Sequence, residues 1–290
     1  MFSPSSRKKL GFTLVELVAV TSIVAVGMSV SLPGIQKVRN QARLTACKNN
    51  LKQLGLAMHN YHDTVNALPP GWVIKSTKAE AGPGLGWGTM ILPYMDQVAI
   101  YNQINFSEPP KVDKLTQTSI PGYLCPEDTA AALNSVRGKY ATSNYSGSSG
   151  DQLLPGSVDL PDPGTDAAKK LSTGLFFHNS CVRFRDITDG LSNTFMLGEK
   201  SVSSAAGIWM GVRSNQNAGD SVTDCNHRSK LNAVIHSFSS QHGGGAHFLL
   251  GDGSVRFIAD TIESKESTDK PNGTYQKLAN KNDGQILGEF

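Results

Sequence analysis

The chain has 290 residues and a formal net charge of +3, from 27 basic and 24 acidic side chains. Arg7, Lys8 and Lys9 account for the whole of that excess and lie in the first eleven residues, which hold no acid. With no basic stripe elsewhere, nucleic acid is excluded as a partner. The length allows one sizeable domain or two small ones.

The basic leader is followed by an apolar run from Phe12 to Leu32, in which Glu16 is the one charged residue. Roughly 20 apolar residues match the hydrocarbon core of a bilayer, and basic residues stay on the cytoplasmic side. We therefore predict a leader over 1–11 and a transmembrane half-helix over 12–33. This predicts a single-pass protein of the inner membrane, with its N-terminus cytoplasmic and its C-terminal domain extracytoplasmic.

The junction Gly11-Phe12-Thr13-Leu14-Val15-Glu16 resembles the cleavage and methylation motif of type IV pilins and type II secretion pseudopilins. The resemblance implies that a prepilin peptidase/N-methyltransferase cuts between Gly11 and Phe12 and methylates the new Phe12 amine. It also implies that Glu16 pairs with the Phe12 ammonium of a neighbouring subunit during assembly, since a buried charge needs a partner. Two simpler alternatives stay open: a plain signal anchor, and Glu16 as a tolerated polar residue near the membrane surface.

The helix is predicted to continue beyond Pro33 as an amphipathic half over 34–62. One apolar face follows the three-and-four spacing of a helix: Leu44, Cys47, Leu51, Leu54, Met58 and Tyr61. The turn signal Leu68-Pro69-Pro70-Gly71 follows the predicted end. The fold class is α+β and pilin-like, with a long N-terminal helix packed on an antiparallel β-sheet of an extracytoplasmic domain over 63–290.

Several segments of that domain predict strands, and one predicts a loop. The stretch 142–172 is rich in Gly, Ser, Asp and Pro, which predicts an exposed loop. The predicted buried strands are 174–177, 194–199 and 208–211. Two further β-forming runs, 246–250 and 254–258, flank Asp252-Gly253 and predict a hairpin.

His242, nine residues, then Asp252-Gly253 resembles the H-X9-DG motif of the DUF1559 family, whose members carry a prepilin-type N-terminus. The resemblance covers nearly the whole chain, through blocks at 46–62, 68–71, 92–95, 124–126, 186–194 and 283–290. Asp252 and Gly253 tolerate the positive φ of a tight turn, and His242 is a candidate hydrogen-bond partner of that turn. The motif suggests a structural hairpin and gives no catalytic mechanism.

The four cysteines are far apart and form no CxxC pair, which argues against a zinc ribbon. In an extracytoplasmic domain an even number suggests two disulfides. Of the three pairings we favour Cys47–Cys125 with Cys181–Cys225, and free buried thiols remain the alternative.

Candidate metal ligands occur in two places. A late histidine group has only His242 and His247 close together, and the three glycines between them form no aligning helix, so we predict no metal there: His227, His236, His242 and His247. Asp186 and Asp189, with Ser192 and Asn193, form an oxygen-rich candidate for calcium that also reads as a capped turn. No nucleophile stands beside a base, so we expect no enzyme and no cofactor.

Three functions compete. The first is a structural, pseudopilin-like subunit that assembles with other pilin-like subunits in a type II secretion or type IV pilus-like system. The second is a membrane-anchored ligand-binding module that uses the N-terminus only for export and anchoring, which the large soluble domain keeps open. The third, an extracytoplasmic hydrolase, has no supporting motif.

Overall fold

The computed structural model describes residues 13–75, 83–129, 132–152, 173–226, 228–265, 273–285, 287 and 290, without the side chains of 23–34 and 215. The predictions made for the leader, Gly11, Phe12 and His227 lie outside the described residues. The chain forms two compact units, residues 1–43 and 44–290.

The secondary structure is one long helix followed by short strands and turns. The helices are α1 (Leu14–Val65), α2 (Trp87–Met90), α3 (Val98–Tyr101) and α4 (Thr274–Ala279). The strands are β1 (Trp72–Val73), β2 (Gly84–Gly86), β3 (Leu133–Asn134), β4 (Tyr140–Ser143), β5 (Tyr145–Ser148), β6 (Phe195–Glu199), β7 (Gly207–Ile208), β8 (Gly211–Val212), β9 (Val222–Thr223), β10 (Gly245–Leu250) and β11 (Val255–Ala259). Short 3₁₀ helices lie at Leu92–Met95, Pro121–Tyr123, Ser135–Arg137, Phe184–Asp186, Leu191–Asn193, Val202–Ser204 and Asn215–Asp220.

The strands form an α+β fold, as predicted. The largest sheet has the order β11-β10-β6-β5-β9, and two three-stranded sheets have the orders β1-β2-β8 and β3-β4-β7. Among the strands that the structure describes, pairing is antiparallel except between β5 and β9, which run parallel. The predicted hairpin is present, because β10 pairs with β11 in an antiparallel register that places His247 opposite Phe257.

Helix α1 ends at Val65 and is followed by Asn66, which adopts a left-handed conformation with φ 59°. In the second unit its apolar face is the predicted one, since Cys47, Leu51, Leu54 and Met58 are completely buried. In the described part of the chain, no helix is long and apolar enough to cross a membrane.

The five-stranded sheet separates two hydrophobic clusters because successive side chains of a strand point to opposite faces. Leu249 of β10 belongs to the cluster that contains the buried face of α1. Its neighbours Phe248 and Leu250 belong to a second cluster with Tyr275 and further residues of α4. A β-carbon on Gly55 would lie 2.7 Å from Leu249 Cδ1, so glycine permits the close approach of α1 to β10.

The predicted exposed loop over 142–172 is wrong in its first part. Strand β5 lies there between β6 and β9, and all four of its residues are buried. The polar composition concealed this strand, in which Ser146 Oγ lies 2.9 Å from Thr223 Oγ1 of β9, whereas Ser148 Oγ is buried without a hydrogen-bond partner among the described residues. Residues 153–172 lie outside the described part of the chain.

Two other predicted strands also differ from the structure. Residues 174–177 are irregular, although Leu175 and Phe176 are completely buried as expected. The predicted strand 208–211 is split: β7 ends at Ile208 and β8 begins at Gly211, whose φ of 144° and close approach to the backbone of β2 favour glycine.

Candidate functional site: a buried cluster of sulfur, imidazole and carboxylate

A disulfide joins α1 to the segment that precedes the sheet. Cys47 of α1 and Cys125, just after the 3₁₀ helix Pro121–Tyr123, are bonded across a sequence separation of 78, with their Cα atoms 4.9 Å apart. Cys47 is fully buried and Cys125 is 7% exposed. This is the first of the two pairings favoured from the sequence.

The second favoured pairing, Cys181–Cys225, is wrong in this structure, where both cysteines are free. Cys225 is buried in the hydrophobic cluster of α4, where burial raises the pKa of its thiol well above the ordinary value. Cys181 is exposed and precedes Val182, which belongs to the other cluster. The Cys225 thiol therefore lies in the core, whereas Cys181 lies at the surface beside the other cluster.

His242 lies against the disulfide and against the last residue of β6. Its Nε2 atom is 3.0 Å from Glu199 Oε1 and 3.6 Å from Cys125 Sγ. The side chains of His242 and Glu199 are 1% and 2% exposed, so the contact is closed to solvent. Within the described chain, His242 Nδ1 is buried without a hydrogen-bond partner, and a buried unpaired nitrogen in a native structure calls for an explanation.

The other oxygen of Glu199 is held by His247 of β10. The backbone N–H of His247 donates to Oε2 at 2.7 Å, and its Nδ1 lies 3.3 Å from the same oxygen. Burial raises the pKa of the Glu199 carboxyl, but the hydrogen bonds from His242 and His247 outweigh it and the net shift is downward. The carboxylate is therefore ionised at neutral pH and fixed through both of its oxygens.

Together these side chains have the composition of a metal site. One ligand atom from each of Cys47, Cys125, Glu199 and His242 lies within 4.8 Å of the other three, and this is the one such group among the described residues. A cavity of about 10 Å³ lies beside Cys125 and Glu199.

Lys200, the residue after Glu199, is fully buried, and its Nζ donates to Thr223 Oγ1 at 2.9 Å. Burial lowers the pKa of Lys200 to about 7.

The structure separates the two ends of the H-X9-DG motif. Asp252 and Gly253 form the β10–β11 turn, with Gly253 at φ 82° and the Ser254 N–H donating to Asp252 Oδ1 at 2.8 Å. The described side-chain contacts of His242 go to Glu199 and Cys125 instead of to this turn. Its suggested role as a partner of the turn is therefore wrong: the motif places a turn at one end of β10 and an imidazole in the buried cluster at the other.

The carboxylates proposed for calcium are used by the chain itself. Asp186 Oδ2 accepts the Arg183 N–H at 2.9 Å. Asp189 accepts the N–H groups of Asp283 and Gly284 at 2.6 and 2.9 Å, and so holds the C-terminal segment. These contacts favour the capped-turn alternative at Asp186 and Asp189.

Sequence reasoning missed Glu199 and Lys200. The sequence pattern predicts only that Glu199 ends a strand, and its partner His242 lies 43 residues further on. The sequence does show a carboxylate followed by a lysine at the end of an apolar strand, which could have marked the two residues as unusual. Whether they are buried depends on long-range packing, which this local pattern does not encode.

Residues Thr13 and Glu16 form a capping box at the start of α1. The Thr13 N–H donates to Glu16 Oε2 at 2.9 Å, and the Glu16 N–H donates to Thr13 Oγ1 at 3.3 Å. The carboxylate predicted to act in assembly thus also satisfies the first turn of its own helix.

A protein-family model described as "Protein of unknown function (DUF1559)" matches residues 36–265. The chain belongs to the DUF1559 family. A second model, the prokaryotic N-terminal methylation motif, matches residues 6–32. Neither the curated proteins nor the solved structures gave a match.

The two family models match separate parts of this DUF1559 chain. The methylation motif includes Gly11, Phe12 and Glu16, and marks the protein as one of the prepilin-processed type. All four residues of the buried cluster lie inside the DUF1559 match, so the cluster belongs to the family domain and not to the processing signal.

Proposed function

We propose that this protein is a non-enzymatic, pseudopilin-like structural subunit. A prepilin peptidase cuts it at Gly11-Phe12, the N-terminal helix anchors it in the inner membrane with the large domain outside, and the same helix assembles with other pilin-like subunits in a type II secretion or type IV pilus-like system. The observation that carries the proposal is the methylation-motif match over residues 6–32, followed by the 52-residue helix α1. The Cys47–Cys125 disulfide supports it, since it ties that helix to the domain.

The first test is the mass of the mature N-terminus. Protein extracted from membranes of cells that contain a prepilin peptidase is expected to begin with N-methyl-phenylalanine at Phe12. Cells that lack the peptidase are the control and should retain the intact leader. An intact leader in both strains would overturn the proposal.

A second candidate function, a membrane-anchored ligand-binding module, is favoured by a cavity of about 330 Å³ in the domain. Its wall includes Val73, Leu85, Met90 and Phe106, which gives it the apolar lining and the size of a small-molecule site. Cross-linking in cells, followed by purification and identification of the neighbours, separates the two candidates. Pilin-like neighbours support the subunit, whereas a lone protein carrying a small molecule supports the binding module.

A further inference from the structure

The cluster around the disulfide provides four donor atoms of the kinds that zinc prefers. They come from four separate segments: Cys47 from α1, Cys125 from the segment after the 3₁₀ helix, Glu199 from the end of β6 and His242 from the loop before β10. Two sulfurs, one imidazole nitrogen and one carboxylate oxygen fill the four positions of a tetrahedral zinc site.

Two of the donor spacings are close to those of such a site, and all four donor atoms lie within 4.8 Å of one another. With metal–ligand bonds of about 2.0–2.3 Å, tetrahedral geometry places neighbouring nitrogen and sulfur ligands about 3.5 Å apart and nitrogen and oxygen ligands about 3.3 Å apart. His242 Nε2 is already 3.6 Å from Cys125 Sγ and 3.0 Å from Glu199 Oε1. The two sulfurs must move apart to about 3.8 Å, which requires the disulfide to be reduced.

The surroundings are those of a structural metal site. Every side chain in the set is buried, and structural zinc sites are closed to solvent. His247 holds Glu199 Oε2 and leaves Oε1 facing the cluster, which is the way outer partners orient a ligating carboxylate. His242 Nδ1 has no described hydrogen-bond partner, so no second contact fixes which nitrogen carries the proton.

We propose that, in the reduced chain, Cys47, Cys125, His242 and Glu199 bind one Zn²⁺, and that the metal and the disulfide are alternative ways of joining α1 to the sheet. Binding releases the two thiol protons to solvent, and the imidazole carries its remaining proton on Nδ1 so that Nε2 offers a lone pair. A phosphine or dithiol reductant supplies the two electrons that open the disulfide, and is itself oxidised. Zn²⁺ then balances two of the three negative charges of two thiolates and a carboxylate.

The inference is independent of the proposed function and is tested on the purified full chain. A Cys181→Ser/Cys225→Ala background leaves Cys47 and Cys125 as its only cysteines. Co²⁺ is the spectroscopic probe, because thiolate ligands give it charge-transfer absorption. After reduction with a phosphine, we expect one Co²⁺ per chain, displaced by Zn²⁺, and no such band from the same protein left oxidised.

Three variants of the same background locate the site. His242→Ala and Glu199→Gln remove ligands and are expected to weaken metal binding by at least about tenfold, and His247→Ala, beyond the ligands, by about 10–100-fold. The exposed His236→Ala is the matched control and should bind as the background does. Zn²⁺ should also slow alkylation of Cys47 and Cys125 in the reduced chain.

The proposal is overturned if the reduced, folded background binds no Co²⁺ or Zn²⁺, or if a Cys47→Ser/Cys125→Ser variant binds as well. Should reduction unfold the chain, added Zn²⁺ must restore its circular dichroism spectrum. Failure to restore the spectrum would equally overturn the proposal.

Discussion

Glu199 connects three parts of the domain through one carboxylate. It ends β6, contacts His242 through one oxygen and accepts the His247 N–H through the other. Its ionised form is favoured by these contacts although the side chain is buried. An ionised group in the core is tolerated only with such partners. We therefore expect the stability of the fold to depend on Glu199 more than on an ordinary residue at the end of a strand.

The Glu199→Gln variant is expected to lower the free energy of unfolding of the oxidised protein by about 1–3 kcal/mol. An amide replaces one accepting oxygen with a donor, which must face either the His247 N–H or the His242 imidazole. Urea unfolding measures the loss. The exposed Glu108→Gln is the control and should change stability by less than about 0.5 kcal/mol. Equal stability of the two variants would show that the carboxylate contributes nothing to the fold.

Lys281 predicts a pH dependence of stability. Its side chain is partly buried with Nζ 5.7 Å from the centre of the Phe177 ring, and burial lowers the pKa of Lys281 to about 8, despite the opposing effect of Asp151. Between about pH 8 and the ordinary value of 10.5 the unfolded chain binds more protons, so this residue makes stability rise with pH in that window. Below about pH 8 both states are protonated and its contribution is constant.

The Lys281→Met variant should therefore lose part of the rise in unfolding free energy between pH 8 and pH 10. The exposed Lys230→Met removes the same charge and should keep the wild-type slope. Unfolding midpoints in urea at several pH values check this. Parallel curves for wild type and Lys281→Met would contradict the assigned burial effect.

Local patterns were sufficient for some of these residues and not for others. The spacing around Cys47 indicated a packing face, and Asp252-Gly253 indicated a hairpin; both depend on neighbours in sequence and are present. The pairing of His242 with Glu199 depends on how β6 meets the loop before β10, which no short-range pattern encodes. The H-X9-DG spacing marked His242 as special but pointed to the wrong partner.

Gly198 of β6 lies where an added side chain would meet aromatic rings. Gly198 lies opposite Phe248 in the β10–β6 pair, and a β-carbon there would come within 2.6 Å of the rings of Phe248 and Phe238. Those rings form the second hydrophobic cluster. A side chain at 198 would push the aromatic packing apart from within the sheet.

The Gly198→Ala variant is expected to lower the free energy of unfolding by about 1–3 kcal/mol through overpacking. Gly243→Ala is the matched control, because a β-carbon there meets nothing within 4 Å and its φ is not in the left-handed region. It should be neutral or slightly stabilising. Thermal unfolding of both variants, followed by circular dichroism, distinguishes them; a stable Gly198→Ala would mean that the rings can move aside.

Strand β5 could not be predicted from the sequence pattern of this sheet. A strand of Tyr, Ser, Gly and Ser looks like a loop, yet Gly147 lies against Phe176, where a β-carbon would fall 2.8 Å from the ring. Ser146 Oγ lies 2.9 Å from Thr223 Oγ1 of β9, Tyr145 Oη donates to the Cys47 carbonyl of α1, and the Phe176 ring leaves room only for glycine at 147. These contacts belong to the tertiary structure, so the α+β class was predictable while this central strand was not.

The processing junction and the buried cluster differ in whether they can be recognised from the sequence. The junction from Gly11 to Glu16 is one contiguous segment of six residues, so it can be recognised from the sequence alone, and the methylation-motif match covers it. The cluster of Cys47, Cys125, Glu199 and His242 is assembled from positions spread over nearly 200 residues and is visible only after folding. A processing peptidase recognises a contiguous segment, whereas the buried cluster exists only in the folded domain.

Glu16 offers a prediction that joins local structure to assembly. The carboxylate caps α1 through Thr13, and the proposed function also gives it the Phe12 ammonium of a neighbouring subunit. Glutamine at this position keeps the capping hydrogen bonds but carries no charge.

If charge pairing drives assembly, Glu16→Gln and Glu16→Ala should both be cleaved normally and both fail to enter the assembly, measured by cross-linking to neighbours. The exposed Val18→Ala should assemble as wild type does. Normal assembly of Glu16→Gln beside failure of Glu16→Ala would assign the residue to capping, and normal assembly of both would remove it from assembly altogether.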